Sequence, residues 1–227
     1  MALLIKICGL KTPETLEVAL ESGADMVGFV FFGPSPRNVS PLAAQALETQ
    51  VRGRALKVAL TVNATDDLLH DIVDALKPDM LQLHGTETIE RVAVVRSRFG
   101  LPVMKALPIA TRADLSPIRL YAKVADRLIF DARAPLDATR PGGLGKPFDW
   151  TLLQGINPGV PFMLSGGLDA SNVAEAISIT NAPGVDVSSG VERVPGEKDP
   201  EKIRTFIRTA RATDTLDLDV FKIVGGT

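Results

Sequence analysis

Five stretches of the chain carry side chains able to do acid–base or anion-binding chemistry. Cys8, the only cysteine, closes the apolar run Leu3-Leu4-Ile5-Lys6-Ile7-Cys8, and Asp131 closes another, Arg127 to Asp131. Arg37 sits in the polar loop Phe32-Gly33-Pro34-Ser35-Pro36-Arg37-Asn38. Gly166-Gly167 and Ser188-Ser189-Gly190 end two later apolar runs. A thiol has an ordinary pKa of about 8.5, so a modest downward shift makes it a base at neutral pH. A carboxyl whose pKa is raised by burial can act as the matching acid. The arginine fork fits both oxygens of a planar carboxylate. Glycine turns let backbone N–H groups approach a phosphate. A plainer role for Cys8, as a small buried apolar residue, stands beside the chemical one.

Those residues meet only if the fold brings them together. Apolar runs rich in Leu, Ile and Val begin near residues 3, 26, 55, 79, 101, 127, 160 and 184, and each reads as a buried strand. Between them lie helical stretches: Pro13 to Gly23, from Pro41, Thr65 to Leu76, Thr86 to Phe99, a weaker one near Ile118 to Val124, a short one near Asp149 to Leu153, Ala170 to Ile179, and Pro200 to Ala212. Thr12-Pro13 and Ser40-Pro41 are helix starts, a capping hydroxyl followed by a proline whose missing N–H costs nothing. Strict alternation implies a parallel sheet, and continuous apolar strands imply cover on both faces. Eight βα units in a chain of this length predict an α/β (β/α)8 TIM barrel, with a doubly wound sheet as the rival. No linker divides the chain. Residues 1–212 read as one barrel domain and 213–227 as a loosely attached tail.

In a barrel the site lies at the carboxyl ends of the strands. That places Cys8, Arg37, Asp131, Gly166, Gly167, Asp186, Ser188, Ser189 and Gly190 around one mouth. Alternation adds that Lys6 faces inward if Cys8 does, and Asp186 if Ser188 does. A buried lysine needs a partner, and Asp186 is the candidate; the other possibility is that Lys6 faces outward. The turns after strands seven and eight form the expected phosphate site, and a short helix just after Gly190 would aim its positive end at the anion. His84 also ends a strand, where a structural hydrogen-bonding role is the commoner one. With two histidines in all, a His-based zinc site is not expected.

Composition sets the outer bounds. Of the 227 residues 45% are hydrophobic and 23% charged, and the net charge is −2 with a pI near 5.8. That composition is ordinary for a globular domain, and the charge invites neither nucleic acid nor an anionic membrane. One cysteine cannot form an internal disulfide. No signal peptide is apparent, and no apolar stretch approaches the roughly 18 residues of a membrane span. The expected location is cytoplasmic.

Several stretches together resemble the phosphoribosylanthranilate isomerase family. They are Lys6-Ile7-Cys8-Gly9-Leu10, Gln82-Leu83-His84-Gly85, Gly142 to Trp150, Leu164-Ser165-Gly166-Gly167-Leu168 with Asn172-Val173, and Val185 to Glu192 followed by Pro195-Gly196-Glu197-Lys198-Asp199. The resemblance covers Lys6 to about Ala210. It implies a (β/α)8 barrel with no cofactor and no metal. The reaction it implies is the Amadori rearrangement of N-(5-phosphoribosyl)anthranilate to 1-(2-carboxyphenylamino)-1-deoxyribulose 5-phosphate, a step of tryptophan synthesis. By resemblance Cys8 is the general base and Asp131 the general acid. Arg37 holds the anthranilate carboxylate, and Gly166-Gly167 with Ser188-Ser189-Gly190 holds the phosphate. The partner is a small phosphorylated molecule, with no nucleic acid and no membrane, and the chain is a monomer or homodimer. Leu144 departs from the Thr or Ser usual there. Histidine-pathway and dual-specificity sugar isomerases of the same barrel type place an aspartate where this chain has Cys8. A barrel that only binds a phosphorylated ligand is the remaining alternative.

Overall fold

The computed structural model describes residues 2–135 and 137–224, with side chains described to Thr213. Eight parallel strands close into a barrel in chain order. They are β1 (Leu4–Cys8), β2 (Met26–Phe31), β3 (Leu56–Thr61), β4 (Met80–Leu83), β5 (Val103–Ile109), β6 (Arg127–Ala132), β7 (Phe162–Leu164) and β8 (Gly184–Val187). Closure is made by β1 against β8, with Leu4 opposite Gly184 and Lys6 opposite Asp186. The rival doubly wound sheet is thereby replaced by a closed ring.

Helices α1 (Pro13–Glu21), α2 (Pro41–Val51), α3 (Asp66–Leu76), α4 (Ile89–Phe99), α5 (Ile118–Tyr121), α6 (Val173–Thr180) and α7 (Pro200–Val224) alternate with the strands. The hydroxyls of Thr12, Ser40, Thr65 and Thr88 each accept an N–H three residues on. Each satisfies one of the amides that a helix start leaves open. The last helix passes the predicted end at Ala212 and runs to Val224.

Period-two alternation sorts every strand. Ile5, Ile7, Val27, Phe29, Leu81, Leu83, Leu128, Phe130, Val185 and Val187 point outward into the layer shared with the helices. Met26, Val58, Met80, Met104, Ile129 and Met163 fill the lower interior. Above that apolar floor the inward positions turn polar: Lys6, Gln82, Asp131, Ser165 and Asp186 are all buried. The same alternation that hides Ile7 and Phe130 outside therefore delivers Cys8 and Asp131 to the mouth.

Lys6 does face inward. Its Nζ donates to Asp186 Oδ1 at 2.7 Å, and Asp186 Oδ2 accepts from Ser165 Oγ at 3.0 Å. Burial disfavours the ammonium, yet Asp186 and Cys8 together hold Lys6 above its usual pKa. Removing one member of such a pair strands the other charge without water. Lys6→Met is expected to cost about 3–5 kcal/mol of unfolding free energy in a urea titration. A loss of under about 1 kcal/mol, the size of an exposed pair, would mean that the pair does not hold the barrel together.

Candidate active site

The strand ends open into a cleft that encloses about 630 Å³ of empty space, open solvent at its mouth included. Cys8, Arg37, Asp131, Gly166, Gly167, Asp186, Ser188 and Ser189 all line it. Gly190 does not. It is packed beneath the chain, where an added Cβ would stand 1.9 Å from the Leu168 carbonyl oxygen. The expected helix after Gly190 is also absent. Ser189–Val191 is a single 3-10 turn, and the chain then enters a hairpin, β9 (Glu192–Val194) and β10 (Glu197–Lys198). Pro195-Gly196 forms its turn.

Cys8 ends β1 with 3% of its surface exposed. Gly28 on β2 makes room for it, since a Cβ there would meet Sγ at 2.9 Å. Burial pushes the thiol up from its ordinary value; Lys6 and Lys198 pull it down and Asp186 pushes it up. The downward shift that a ready-made base would need is therefore not present in the free protein.

Asp131 is the last residue but one of β6 and is 4% exposed. Its Oδ1 accepts the Ala132 N–H at 2.9 Å. Its Oδ2 lies 3.0 Å from His84 Nε2, and Gln82 Nε2 lies 3.0 Å from His84 Nδ1. With the Gln82 amide donating to Nδ1, a neutral imidazole carries its proton on Nε2, aimed at Asp131. Sequence reasoning left His84 out of the site. Its position at a strand end was visible, but its pairing with Asp131 joins β4 to β6 and only the closed ring makes it.

Arg37 is buried, at 4% exposure. Its Nε and Nη2 donate to the two carboxylate oxygens of Glu192 at 2.7 and 2.8 Å, and Nη2 also donates to the Gly143 carbonyl at 3.2 Å. Glu192 takes the Nε/Nη2 edge, so the Nη1 end is what remains for a ligand. Lys198 Nζ donates to Glu192 at 2.9 Å and to the Ser188 carbonyl at 2.8 Å. Burial works against the Glu192 carboxylate, but Arg37 and Lys198 hold it below its usual range. Burial lowers Lys198 to about 8. Glu192 and Lys198 were not in the expected site. Their signal was the Pro-Gly turn between two short charged runs, a hairpin pattern.

On the other side of the cleft Gly166 and Gly167 have φ of +87° and +70°, a region that costs a side-chain-bearing residue energy. Beyond conformation, a Cβ on Gly166 would stand 2.3 Å from the Ala132 nitrogen. The segment 140–149 crosses above the mouth. Its Gly142 passes so near Asp131 that a Cβ would be 2.4 Å from Oδ2. Leu144 is 38% exposed in that loop. Among the described residues no cluster of three or more His, Cys, Asp or Glu is placed to hold a metal, and no helix is long and apolar enough to cross a membrane.

Comparison with known proteins agrees with this fold. The family described as N-(5'phosphoribosyl)anthranilate (PRA) isomerase matches residues 5–209. An N-(5'-phosphoribosyl)anthranilate isomerase of Bradyrhizobium sp. (strain ORS 278) is 62% identical over 218 residues, 96% of this chain and 100% of its own length. The crystal structure of a phosphoribosyl anthranilate isomerase from Thermotoga maritima superposes with a TM-score of 0.84 at 34% identity, over 92% of this chain and 99% of that one. A further structure, of such an isomerase in complex with reduced 1-(o-carboxyphenylamino)-1-deoxyribulose 5-phosphate, has a TM-score of 0.81 at 32% identity, with the same shares covered.

Proposed function

The chain belongs to the N-(5'-phosphoribosyl)anthranilate isomerase family, and from that premise we propose how its own residues carry out the isomerisation. The reaction is the aminoaldose-to-aminoketose step of tryptophan biosynthesis. The observation that carries the assignment of roles is the meeting of Cys8, Asp131 and Arg37 in one cleft, from β1, β6 and the loop after β2.

The substrate has an anion at each end. Its phosphate goes to the amides of Gly166 and Gly167 and to Ser188 and Ser189. Its carboxylate goes to the open end of Arg37. The sugar then lies across the mouth, between Cys8 and Asp131. As the furanose opens, the C1–O bond breaks, the nitrogen lone pair forms an iminium, and Asp131 gives its proton to the departing ring oxygen. The iminium draws electrons from C2, and the Cys8 thiolate takes the C2 proton. The resulting enolamine gains a proton at C1 and loses one from its C2 hydroxyl, leaving the ketone.

One pKa problem is solved by the substrate itself. The iminium is a cation beside Cys8, and a nearby cation favours the thiolate. The base is thus formed when it is needed rather than before. Lys6, paired with Asp186, supplies a permanent positive charge beneath it. His84 holds Asp131 in place through its Nε2. His84→Gln is expected to lower kcat about 10- to 100-fold, the value of one hydrogen bond to a charged group. A steady-state assay showing kcat unchanged would remove His84 from the mechanism.

A cytoplasmic location fits a chain whose one cysteine stays a buried thiol. Either a monomer or a homodimer would be active, since every residue named comes from one chain. The test is genetic. The gene is placed in a bacterium lacking its own isomerase and plated without tryptophan. Growth is expected; no growth with soluble protein present would leave a barrel that only binds its ligand.

A further inference from the structure

The segment 140–149 brings a second guanidinium to the cleft. Arg140 lines it together with Arg37. Its Nη2 lies 3.5 Å from the Gly143 carbonyl oxygen, the same oxygen that accepts from Arg37 Nη2. Two like charges therefore converge on one neutral acceptor. The Nε of Arg140 is buried and has no hydrogen-bond partner, and no carboxylate among the described residues pairs with Arg140. Arg37 has its Nε/Nη2 edge taken by Glu192 and keeps only Nη1 open. Of the cations Arg37, Lys198 and Arg140, only the first two share a carboxylate, that of Glu192. Two guanidinium groups beside each other, one buried and one partly buried, with one donor unmet, leave a deficit that an anion would fill.

We propose that Arg140 is a second carboxylate-binding residue, completing with Arg37 the subsite for the aromatic acid of the substrate. The inference rests on the isomerase reading of the same cleft. The subsite needs a second donor because Glu192 occupies the Nε/Nη2 edge of Arg37, leaving that arginine only its Nη1 end for a carboxylate. Arg140, with an unmet Nε, supplies donors for the other oxygen. The phosphate is the wrong anion for this position. Both arginines sit at Gly143, whereas the loop reaches the phosphate turns only later: Gly145 lies near Ser189, and Lys146 and Pro147 lie against Gly167. The arrangement also gives the loop a role. Substrate carboxylate between the two arginines would tie the loop down over the mouth, closing off water as the iminium forms.

The test is calorimetric titration with two compounds: reduced 1-(o-carboxyphenylamino)-1-deoxyribulose 5-phosphate and its analogue lacking the carboxyl. Wild type, Arg140→Gln and Arg140→Lys are compared. Arg140→Gln is expected to weaken binding of the acid about 10- to 100-fold and to leave the analogue within about threefold of wild type. Arg140→Lys, which keeps the charge and loses the planar fork, falls between. An equal loss on both compounds would assign Arg140 to the phosphate or to the loop itself, and no loss on either would leave it without a ligand; each overturns the proposal. Wild-type protein that binds neither compound would overturn the isomerase reading, and the inference with it.

Discussion

Asp131→Asn is expected to lower kcat about 10²- to 10⁴-fold, the usual contribution of a positioned general acid, with little change in KM. The amide keeps the shape of the carboxylate, and its oxygen can still accept from Ala132 N–H or from His84 Nε2. What it cannot do is release a proton to the ring oxygen. The loss should therefore fall on the chemical step alone, which is the pattern of an interaction made only in the transition state. Steady-state kinetics with a thermal melt beside them checks this. A KM rise with kcat intact would make Asp131 a binding residue.

Cys8→Ser is expected to be as damaging, about 10²- to 10⁴-fold in kcat, because a hydroxyl at this position is a far weaker acid than a thiol and yields no usable base. The pH profile carries the finer claim. Burial holds the Cys8 thiol above its ordinary value in the free protein. A raised pKa means that the thiolate is a minor form at neutral pH and grows with pH. Since kcat/KM reports the free enzyme, it should climb through the alkaline range and still be rising at about pH 9. The climb should be shallower above the point near 8 where Lys198 gives up its proton, since one of the two cations favouring the thiolate is then lost. A profile flat from about pH 6 upward would mean a thiolate already formed, the ready-made base of papain-like sites.

The barrel was legible because its strands are continuous apolar runs at near-regular spacing; alternation carried Lys6 to Asp186, and its place at a strand end carried Asp131 to the mouth. What was not legible depended on contacts between strands far apart in sequence. His84 meets Asp131 across β4 and β6. Glu192 holds Arg37 across 155 residues, and the hairpin that presents it reads in sequence as a polar turn. The thiol's direction of shift stayed open in the sequence because burial, the largest influence on it, cannot be read from an apolar run that could end at the surface as easily as beneath it. The last helix outran Ala212 because the segment 213–224 holds neither Gly nor Pro and so carries no stop signal of its own.

The most direct measurement is turnover of freshly prepared N-(5-phosphoribosyl)anthranilate by the purified protein, followed as loss of its anthranilate-type fluorescence. Rapid decay with the wild type, abolished to near the uncatalysed rate in a Cys8→Ser, Asp131→Asn double variant that melts like the wild type, is the expected result. Decay that persists in the double variant would contradict the acid–base pair, and a folded wild type that leaves the fluorescence unchanged would contradict the isomerase assignment itself.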